Sequence, residues 1–212
     1  NLTDDLFERE YGANPAGAVY LVKAQIKAHL RDYLSRYRIP LIKEKTVKII
    51  GVEESIETIL NSYKLRGRLD VVEKRDGKIC IVDYKSGSNI KNLKINFDKL
   101  DVDNRDSWDE AIGSLQLPLY LILYSERHGI KIGDLRGMFL LLGRSLINKE
   151  IELALFDTDD DSSQFDRLRT VLLGLLDEIV DSEIQFAATS DRKNSCPRCD
   201  FKYICGTQWV TG

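Results

Sequence analysis

Apolar residues recur along the chain with two periods, every second residue in some stretches and every third or fourth in others. The first period is typical of strands and the second of amphipathic helices, so the chain predicts both kinds of element. Residues 1–14 are polar and irregular, and Gly12, Asn14 and Pro15 mark a boundary behind them. The predicted elements are a helix over about Ala16–Tyr37, strands over Ile42–Val52 and Ile59–Lys74, a hairpin that ends at Lys85, a charged stretch over 88–106, a helix over Trp108–Arg127, strands over Gly137–Gly143 and Glu150–Phe156, and a helix over Ser163–Ile184.

Two of these helices carry apolar stripes that predict which face is buried. His29 falls within the stripe of the first helix, where a lone histidine is usually a satisfied core residue. Pro118 lies inside the helix over Trp108–Arg127 and predicts a kink or a broken turn there. The acidic run Asp157–Asp161 is predicted to be a turn and a helix N-terminus, where carboxylates suit the helix dipole. The stripes are Val19, Val22, Ile26, Tyr33 and Tyr37 in the first helix and Phe165, Leu168, Leu172, Leu175 and Ile179 in the last.

The central hairpin carries the candidate chemistry. Asp76-Gly77 is a strong two-residue turn, because glycine accepts the positive φ that such turns require. This turn places Asp70 directly opposite Asp83, with the two side chains about 5 Å apart on one face. Lys85 follows two residues later on that same face. Two carboxylates beside an ammonium group are suited to hold a divalent metal next to a phosphate.

A solvated hairpin is the alternative for these charged residues. The second strand of the hairpin argues against it, since Ile79, Cys80, Ile81 and Val82 are apolar on both faces. That pattern predicts a central strand that reaches the surface only at its end.

The hairpin resembles the core of a known enzyme family. Twelve residues separate Asp70 from the run Asp83-Tyr84-Lys85-Ser86-Gly87, and this spacing is similar to that of the PD-(D/E)XK nucleases. The residues of this run are most similar to those of the RecB-like branch, which includes the nuclease domains of RecB and AddB. The resemblance implies that Asp70 and Asp83 bind Mg²⁺ or Mn²⁺, with the Tyr84 carbonyl among the ligands.

Other positions match the same branch in the same order along the chain. His29 resembles a histidine ligand on the family's first helix, although Gln25 stands where the family often has glycine. Gln116 and Tyr120 are four residues apart and share a helical face. They resemble a downstream Q-x-x-x-Y motif that positions nucleic acid or water, whereas without the resemblance they are a boundary Gln and a core Tyr. Glu44 is either a second-shell acid or, as we prefer, a charge at a sheet edge.

Net charge and composition bear on which partners and which cellular setting the chain can have. The net charge of −3 does not indicate nucleic-acid binding, yet an acidic metal site can offset a local basic groove. Three lysines follow Lys85 and the hairpin closely, and together the four could form such a groove or belong to a solvated loop. The three are Lys91, Lys94 and Lys99. No apolar run approaches the roughly 20 residues of a membrane span. Because the chain begins at Asn1 and its single methionine is Met138, we expect a piece of a longer protein.

The cysteines indicate a second metal site. Cys196, Cys199 and Cys205 form C-x2-C-x5-C, which is not a secreted disulfide framework and points to the cytosol and to metal. In the RecB-like branch a similar trio joins a distant upstream cysteine to hold a structural 4Fe–4S cluster. Cys80 is the one other cysteine, but its parity places it opposite Asp83, where a buried core thiol is the better interpretation. We expect the trio to be cluster ligands in the intact protein, and empty, zinc-loaded or oxidised in this chain.

These features together predict a fold and a function. The resemblance runs from about Val19 to Cys205 and implies an α/β restriction-endonuclease-like core, a central mixed sheet flanked by helices. We expect a nuclease domain over residues 1–195 and a cysteine segment over 196–212 packed on it. The expected activity is metal-dependent hydrolysis of DNA, with an exonuclease of a helicase–nuclease or repair protein favoured. The alternatives are a degenerate nuclease fold that only binds DNA or a partner, and a zinc-stabilised interaction module.

Overall fold

The computed structural model describes residues 2–14, 16–87, 89–156, 162–185, 189 and 192–211. A six-residue π-helical turn, Tyr33–Arg38, joins the second and third helices. The helices are α1 (Leu2–Tyr11), α2 (Gly17–Asp32), α3 (Ile39–Glu44), α4 (Ser107–Ala111), α5 (Gln116–His128), α6 (Ser162–Val180) and α7 (Arg192–Ser195), and the strands are β1 (Val47–Leu60), β2 (Tyr63–Arg75), β3 (Lys78–Lys85), β4 (Leu135–Leu141) and β5 (Glu152–Ala154). In this part of the chain no helix is both long enough and apolar enough to span a membrane.

The five strands form one mixed sheet in the order β1-β2-β3-β4-β5. β1, β2 and β3 are a meander of antiparallel neighbours, whereas β4 runs parallel to β3 and antiparallel to β5. Asp76 and Gly77 both have positive φ, at 47° and 93°, which confirms the predicted two-residue turn. The pairing of Arg75 with Lys78 continues in register to Val71 with Val82, as the turn predicts.

Helices cover both faces of the central strand β3. On one face Ile81 belongs to a core cluster with Leu117 and Leu121 of α5 and with Phe165 of α6. On the other face Cys80 and Val82 pack in a cluster with Tyr37 of the π-helical turn and Leu41 of α3. This arrangement confirms the predicted α/β class and the restriction-endonuclease-like core. It also confirms that Cys80 is a buried thiol on the face opposite Asp83.

The first 44 residues differ from the prediction. The stretch predicted to be irregular contains α1, which buries no side chain. The next helix passes through the π-helical turn and continues as α3, so the predicted strand start at Ile42 was wrong. Pro40 does not end the helix, because it stands in the first turn of α3, where a missing N–H costs little. Of the predicted stripe Tyr37 is buried, while Val22 and Ile26 are exposed.

The helix expected over Trp108–Arg127 is two helices. α4 ends at Ala111 and α5 begins at Gln116, so the break lies before Pro118 and not at it. Pro118 is the third residue of α5, where the backbone N–H would have no partner within the helix in any case. The predicted kink was therefore wrong. The last strand is confined to Glu152–Ala154, and the Asp157–Asp161 run lies outside the described residues.

A group of charged side chains is buried beneath β2, and we call it the β2 charge network (Tyr37, Arg38, Glu73, Arg75 and Glu152). Arg75 donates to Glu73 Oε1 and to Glu152 Oε1, each at 2.5 Å, and to the Tyr37 hydroxyl at 3.1 Å. Arg38 donates to the other oxygen of Glu73 at 2.5 Å. Glu73 is only 1% exposed. The network therefore ties the π-helical turn to β2 and β5, and it was not predicted from the sequence.

Candidate active site

The polar end of β3 brings Asp83 and Lys85 together. β3 is central in the sheet and buried from Cys80 to Asp83, and its last residues emerge at the edge where β3 and β4 end. Asp83 remains 2% exposed, and its Oδ2 lies 2.7 Å from Lys85 Nζ. The Lys85 ammonium also lies 5.1 Å from the centroid of the Phe139 ring, a contact that the sequence did not indicate. Phe139 is paired with Asp83 in the parallel register, which only the tertiary fold reveals.

Asp70 lies at the same end of the hairpin. The paired ladder reaches Val71 and Val82, and Asp70 and Asp83 are the next positions along the two strands. Asp70 Oδ2 accepts a hydrogen bond from the Tyr84 backbone N–H at 2.7 Å. The negative charge of Asp70 acts on Asp83 and raises its pKa. The structure therefore brings the two predicted carboxylates to one end of the sheet.

Gln116, the first residue of α5, connects the members of the site. Its Oε1 accepts from Lys85 Nζ at 2.6 Å, and its Nε2 donates to Asp83 Oδ1 at 2.7 Å and to the Tyr120 hydroxyl at 3.1 Å. The amide can face only this way, because an ammonium only donates and a carboxylate only accepts. Gln116 and Tyr120 share a face, as their spacing predicts. A side chain at Gly67 would meet the Tyr120 ring, since a Cβ there would lie 2.9 Å from Cε1.

The electrostatics at Asp83 favour a cation. Burial raises the pKa of the Asp83 carboxyl, Lys85 partly reverses that effect, and Asp70 adds to it. Oδ2 is buried and has no hydrogen bond of acceptable geometry, although the Lys85 ammonium is close to it. One ammonium group faces two carboxylates, so negative charge at the site is incompletely balanced. The carboxylate oxygens and their incompletely balanced charge fit a hard divalent cation such as Mg²⁺ or Mn²⁺.

His29 lies next to the site and is directed at a backbone carbonyl. Its Nε2 bonds to the Leu142 carbonyl, and the Leu142 N–H donates to the Lys85 carbonyl at 2.8 Å. Nε2 must therefore carry the proton, which leaves Nδ1 with the lone pair. Among the described residues no group of three or more His, Cys, Asp or Glu side chains is arranged to hold a metal ion. The roles of His29 and of the Tyr84 carbonyl as ligands stay predictions.

The Tyr84 side chain points away from the carboxylates. Its hydroxyl lies 3.2 Å from that of Tyr33, and the two rings meet edge to face. Beside the Lys85 carbonyl, the chain after β4 passes close to the end of β3. A Cβ at Gly143 would lie 2.1 Å from the Ser86 carbonyl oxygen, so only glycine fits there without a shift of the backbone. The sequence showed Gly143 as the end of a strand but gave no sign of this approach.

The lysines after the hairpin line a cavity together with acidic residues. Lys91 and Lys94 belong to the wall of a cavity of about 1350 Å³ that Phe139 also lines. Lys99 instead forms a long ion pair, 3.8 Å, with Glu110. Four carboxylates share the cavity wall with the two lysines, so the wall is not the basic groove considered from the sequence. These carboxylates belong to Asp98, Asp109, Glu110 and Glu152.

Glu44 and the terminal cysteines lie away from this centre. Glu44 ends α3 and pairs with Lys149 at 2.5 Å, with both side chains exposed. It is thus a surface charge, on a helix and not in the predicted strand. Cys196 is buried, Cys199 is half-buried and Cys205 is exposed, and none of them forms a disulfide. In the part of the chain that the structure describes, the trio shows no assembled cluster site.

Comparison with models of protein families gives a match over nearly the whole chain. The family model of the PD-(D/E)XK nuclease superfamily matches residues 1–206, which include every residue of the candidate site. A search of curated proteins found no match.

Proposed function

Because the chain belongs to the PD-(D/E)XK nuclease superfamily, we propose that it is a Mg²⁺- or Mn²⁺-dependent deoxyribonuclease whose active site is the polar end of β3. The observation that carries the proposal is the set of Asp83, Lys85 and Gln116, in which the Asp83 carboxylate is buried between the Gln116 amide and the Lys85 ammonium. Such a set is costly to bury for stability alone, because an incompletely balanced charge destabilises the fold.

Each residue of the site has a part in this proposal. Asp70 and Asp83 would hold the cation, and by resemblance the Tyr84 carbonyl and His29 would complete its ligands. Bound there, the cation would supply Lewis acidity for water activation and would neutralise phosphate charge. Lys85 Nζ would donate a proton in a hydrogen bond to a phosphate oxygen while negative charge accumulates on it, a type of interaction worth several kcal/mol.

Gln116 would act as a positioning residue. It holds Lys85 through Oε1 and Asp83 through Nε2, so both reactive groups have a fixed orientation before DNA binds. Tyr120 in turn orients the Gln116 amide through its hydroxyl. Fixing these groups in advance lowers the cost of reaching the reactive geometry.

The proposal is tested by cleavage of end-labelled single- and double-stranded DNA with Mn²⁺ or Mg²⁺. Lys85→Ala should reduce cleavage about 10²–10³-fold or more, because it removes a positive group at the developing charge. Lys64→Ala is the matched control, since Lys64 is an exposed strand lysine that pairs with Glu57. Its cleavage rate should equal that of the parent. A Lys85→Ala variant that cuts at the parent rate would remove Lys85 from the mechanism.

A second measurement separates binding from chemistry. Mn²⁺ should raise the melting temperature of the parent, because a ligand that binds only the folded state stabilises it. Asp83→Ala should lose both this stabilisation and the cleavage, whereas Lys85→Ala should keep the stabilisation. A parent that neither cuts DNA nor responds to Mn²⁺ would instead identify the chain as a degenerate nuclease fold that only binds.

The resemblance to the RecB-like branch supports finer proposals. We assign the chain to that branch, as an exonuclease of a cytosolic helicase–nuclease or DNA repair protein, and the product ladder from end-labelled DNA tests the direction of attack. Residues 196–212 would form a separate segment in which Cys196, Cys199 and Cys205 hold a 4Fe–4S cluster when the intact protein supplies a fourth thiolate. Metal analysis of the intact protein that finds neither iron nor zinc would exclude the cluster.

A further inference from the structure

The end of the described chain is rich in basic residues. Residues 192–211, which we call the basic segment, contain α7, a short helical turn and a series of tight turns. The chain as a whole has a net charge of −3, whereas the net charge of this segment is positive. Its charged residues are Arg192, Lys193, Arg198 and Lys202, against the single acidic residue Asp200.

Large aromatic side chains of the basic segment face solvent. Phe201 is 65% exposed, Tyr203 73% and Trp209 68%. Elsewhere in the described chain the strongly exposed aromatic residues are Tyr11 and Tyr20. Leaving three rings in water within nine residues forgoes the hydrophobic gain of burying them, and exposed apolar clusters of this kind mark binding surfaces.

Hydrogen bonds hold the backbone beneath these rings. The Trp209 indole N–H donates to the Gly206 carbonyl at 2.7 Å, and the Thr207 N–H donates to the Lys202 carbonyl at 2.8 Å. The Cys205 N–H donates to the Phe201 carbonyl at 3.0 Å. The Lys202 ammonium lies 5.5 Å from the Tyr203 ring centroid. The rings therefore project from a defined turn structure, with a cation beside one of them.

The basic segment adjoins a cavity that shares one wall residue, Phe139, with the surroundings of Lys85. Ser195 lines this cavity, and Phe139 on its wall underlies Lys85. Thr189 also bonds to Asp109 of the same wall at 3.2 Å. Because carboxylates outnumber lysines on that wall, it offers a polyanion little attraction. In the basic segment, by contrast, basic residues outnumber the acidic residue by four to one.

We propose that the basic segment is a stacking platform for single-stranded DNA, with bases on Phe201, Tyr203 and Trp209 and phosphates on Arg198 and Lys202. Exposed aromatic rings interleaved with basic side chains bind single strands without sequence preference, because every base has a face that can stack. A duplex keeps its base faces buried and cannot use the rings. The proposal rests on the nuclease function for its ligand, and it makes single strands the substrate delivered to Asp83 and Lys85.

The first experiment measures binding of fluorescein-labelled oligo(dT) by anisotropy, with the intact protein in EDTA. Tyr203→Ala and Trp209→Ala should each weaken binding about tenfold, as the removal of one stacked ring does. Tyr203→Phe and Trp209→Phe keep a ring and should stay within about twofold of the parent. Tyr11→Ala and Tyr20→Ala remove equally exposed rings elsewhere and are the matched controls, with the parent affinity expected.

Trp209 itself gives an independent signal. Oligo(dT) should quench the fluorescence of the parent, whereas a duplex of the same length should not. Trp209→Phe should abolish the quenching while it retains the affinity, because the other tryptophan, Trp108, is buried. Arg198→Gln should lower the slope of log affinity against log salt by about 0.7, the value for one phosphate contact on a single strand.

Any of three results would overturn the platform. The protein could bind duplex and oligo(dT) with equal affinity, or Tyr11→Ala and Tyr20→Ala could weaken binding as much as Tyr203→Ala and Trp209→Ala do. The third result is that the phenylalanine variants bind as weakly as the alanine variants at the same positions. Circular dichroism of each variant separates loss of binding from loss of fold. Because the assay contains no metal and needs no cleavage, an absence of nuclease activity would not affect it. Conversely, cleavage lost in Asp83→Ala would establish the nuclease even if the platform failed.

Discussion

Replacing Arg75 by methionine tests whether the β2 charge network holds the π-helical turn on the sheet. The methionine side chain has a similar length and no charge, so it fills the space but removes three hydrogen bonds. Within the network Glu73 then keeps only Arg38, and Glu152 keeps only the Tyr37 hydroxyl, which donates to Glu152 Oε1 at 2.5 Å. Glu73, which is 1% exposed, would then be paired with one guanidinium group instead of two.

The expected cost follows from the burial of the partners. Removing one member of a buried ion pair destabilises a protein by about 3–5 kcal/mol, mainly because the remaining charge is uncompensated. Arg38 still faces Glu73, and the Glu152 side chain is 30% exposed, so the lower end of that range applies, about 3 kcal/mol. For a domain of this size that loss lowers the melting temperature by about 6–12 °C.

Urea denaturation followed by circular dichroism measures the change in the free energy of unfolding. Arg68→Met is the matched control on the same strand. Arg68 pairs with Glu53 at 2.8 Å, but both side chains are more than half exposed, at 68% and 55%. Such a surface pair contributes about 0–1 kcal/mol. Equal losses in the two variants, within about 0.5 kcal/mol, would refute the assignment of a stabilising role to the buried network.

A double-mutant cycle tests the physical cause more directly. Glu73→Gln removes the charge that Arg75→Met leaves uncompensated. The double variant should therefore lose less stability than the sum of the two single losses, because the second substitution relieves a penalty that the first created. Strict additivity would mean that Arg75 stabilises the fold by packing and not by its charge.

Three further outcomes follow from the structure. Burial would by itself raise the pKa of the Glu73 carboxyl, but the guanidinium groups of Arg38 and Arg75 hold the pKa below its usual range. The stability that this carboxylate contributes is therefore complete above about pH 4.3, and it is lost as the pH falls through the lower pKa of the folded state. Acid titration of the free energy of unfolding, for the parent and for Glu73→Gln, should show this loss in the parent alone. Gly143→Ala places a Cβ against the Ser86 carbonyl and should lower the melting temperature by several degrees, whereas alanine at the open position Gly133 should not. Gln116→Leu removes the amide that bonds to both Lys85 and Asp83, so their ion pair loses the group that orients it. The variant should have a kcat reduced about 10- to 100-fold with little change in KM, and a rise in KM alone would refute a positioning role.

The sequence predicts the central hairpin and the site well because both depend on local rules. The Asp76-Gly77 turn determines the register, and the register brings Asp70 and Asp83 to one end of the sheet. The apolar run Ile79–Val82 predicts a central strand, since a run of that kind needs cover on both faces. The four-residue spacing of Gln116 and Tyr120 then places them on one face of a helix.

The features that were missed depend on contacts between distant residues or on the absence of a pattern. Glu73 and Arg75 read as solvent-facing strand charges, because the sequence does not show that Arg75 meets Glu152, 77 residues away. α1 was missed because its short sequence is mainly polar, and in the fold it buries no side chain. The π-helical turn carries the chain past Pro40 into α3, and the apolar residues beyond it resemble a strand.

The parallel pairing of β3 with β4 determines when the active site is completed during folding. β1, β2 and β3 can pair through short local turns, but β4 joins β3 only after the chain has run through residues 86–134. Closing so long a connection costs chain entropy before any contact compensates for it, so this pairing forms late. Gln116 and Phe139 arrive with that late step. A nascent or partly unfolded chain therefore carries Asp83 and Lys85 before the other residues of the candidate site are in place.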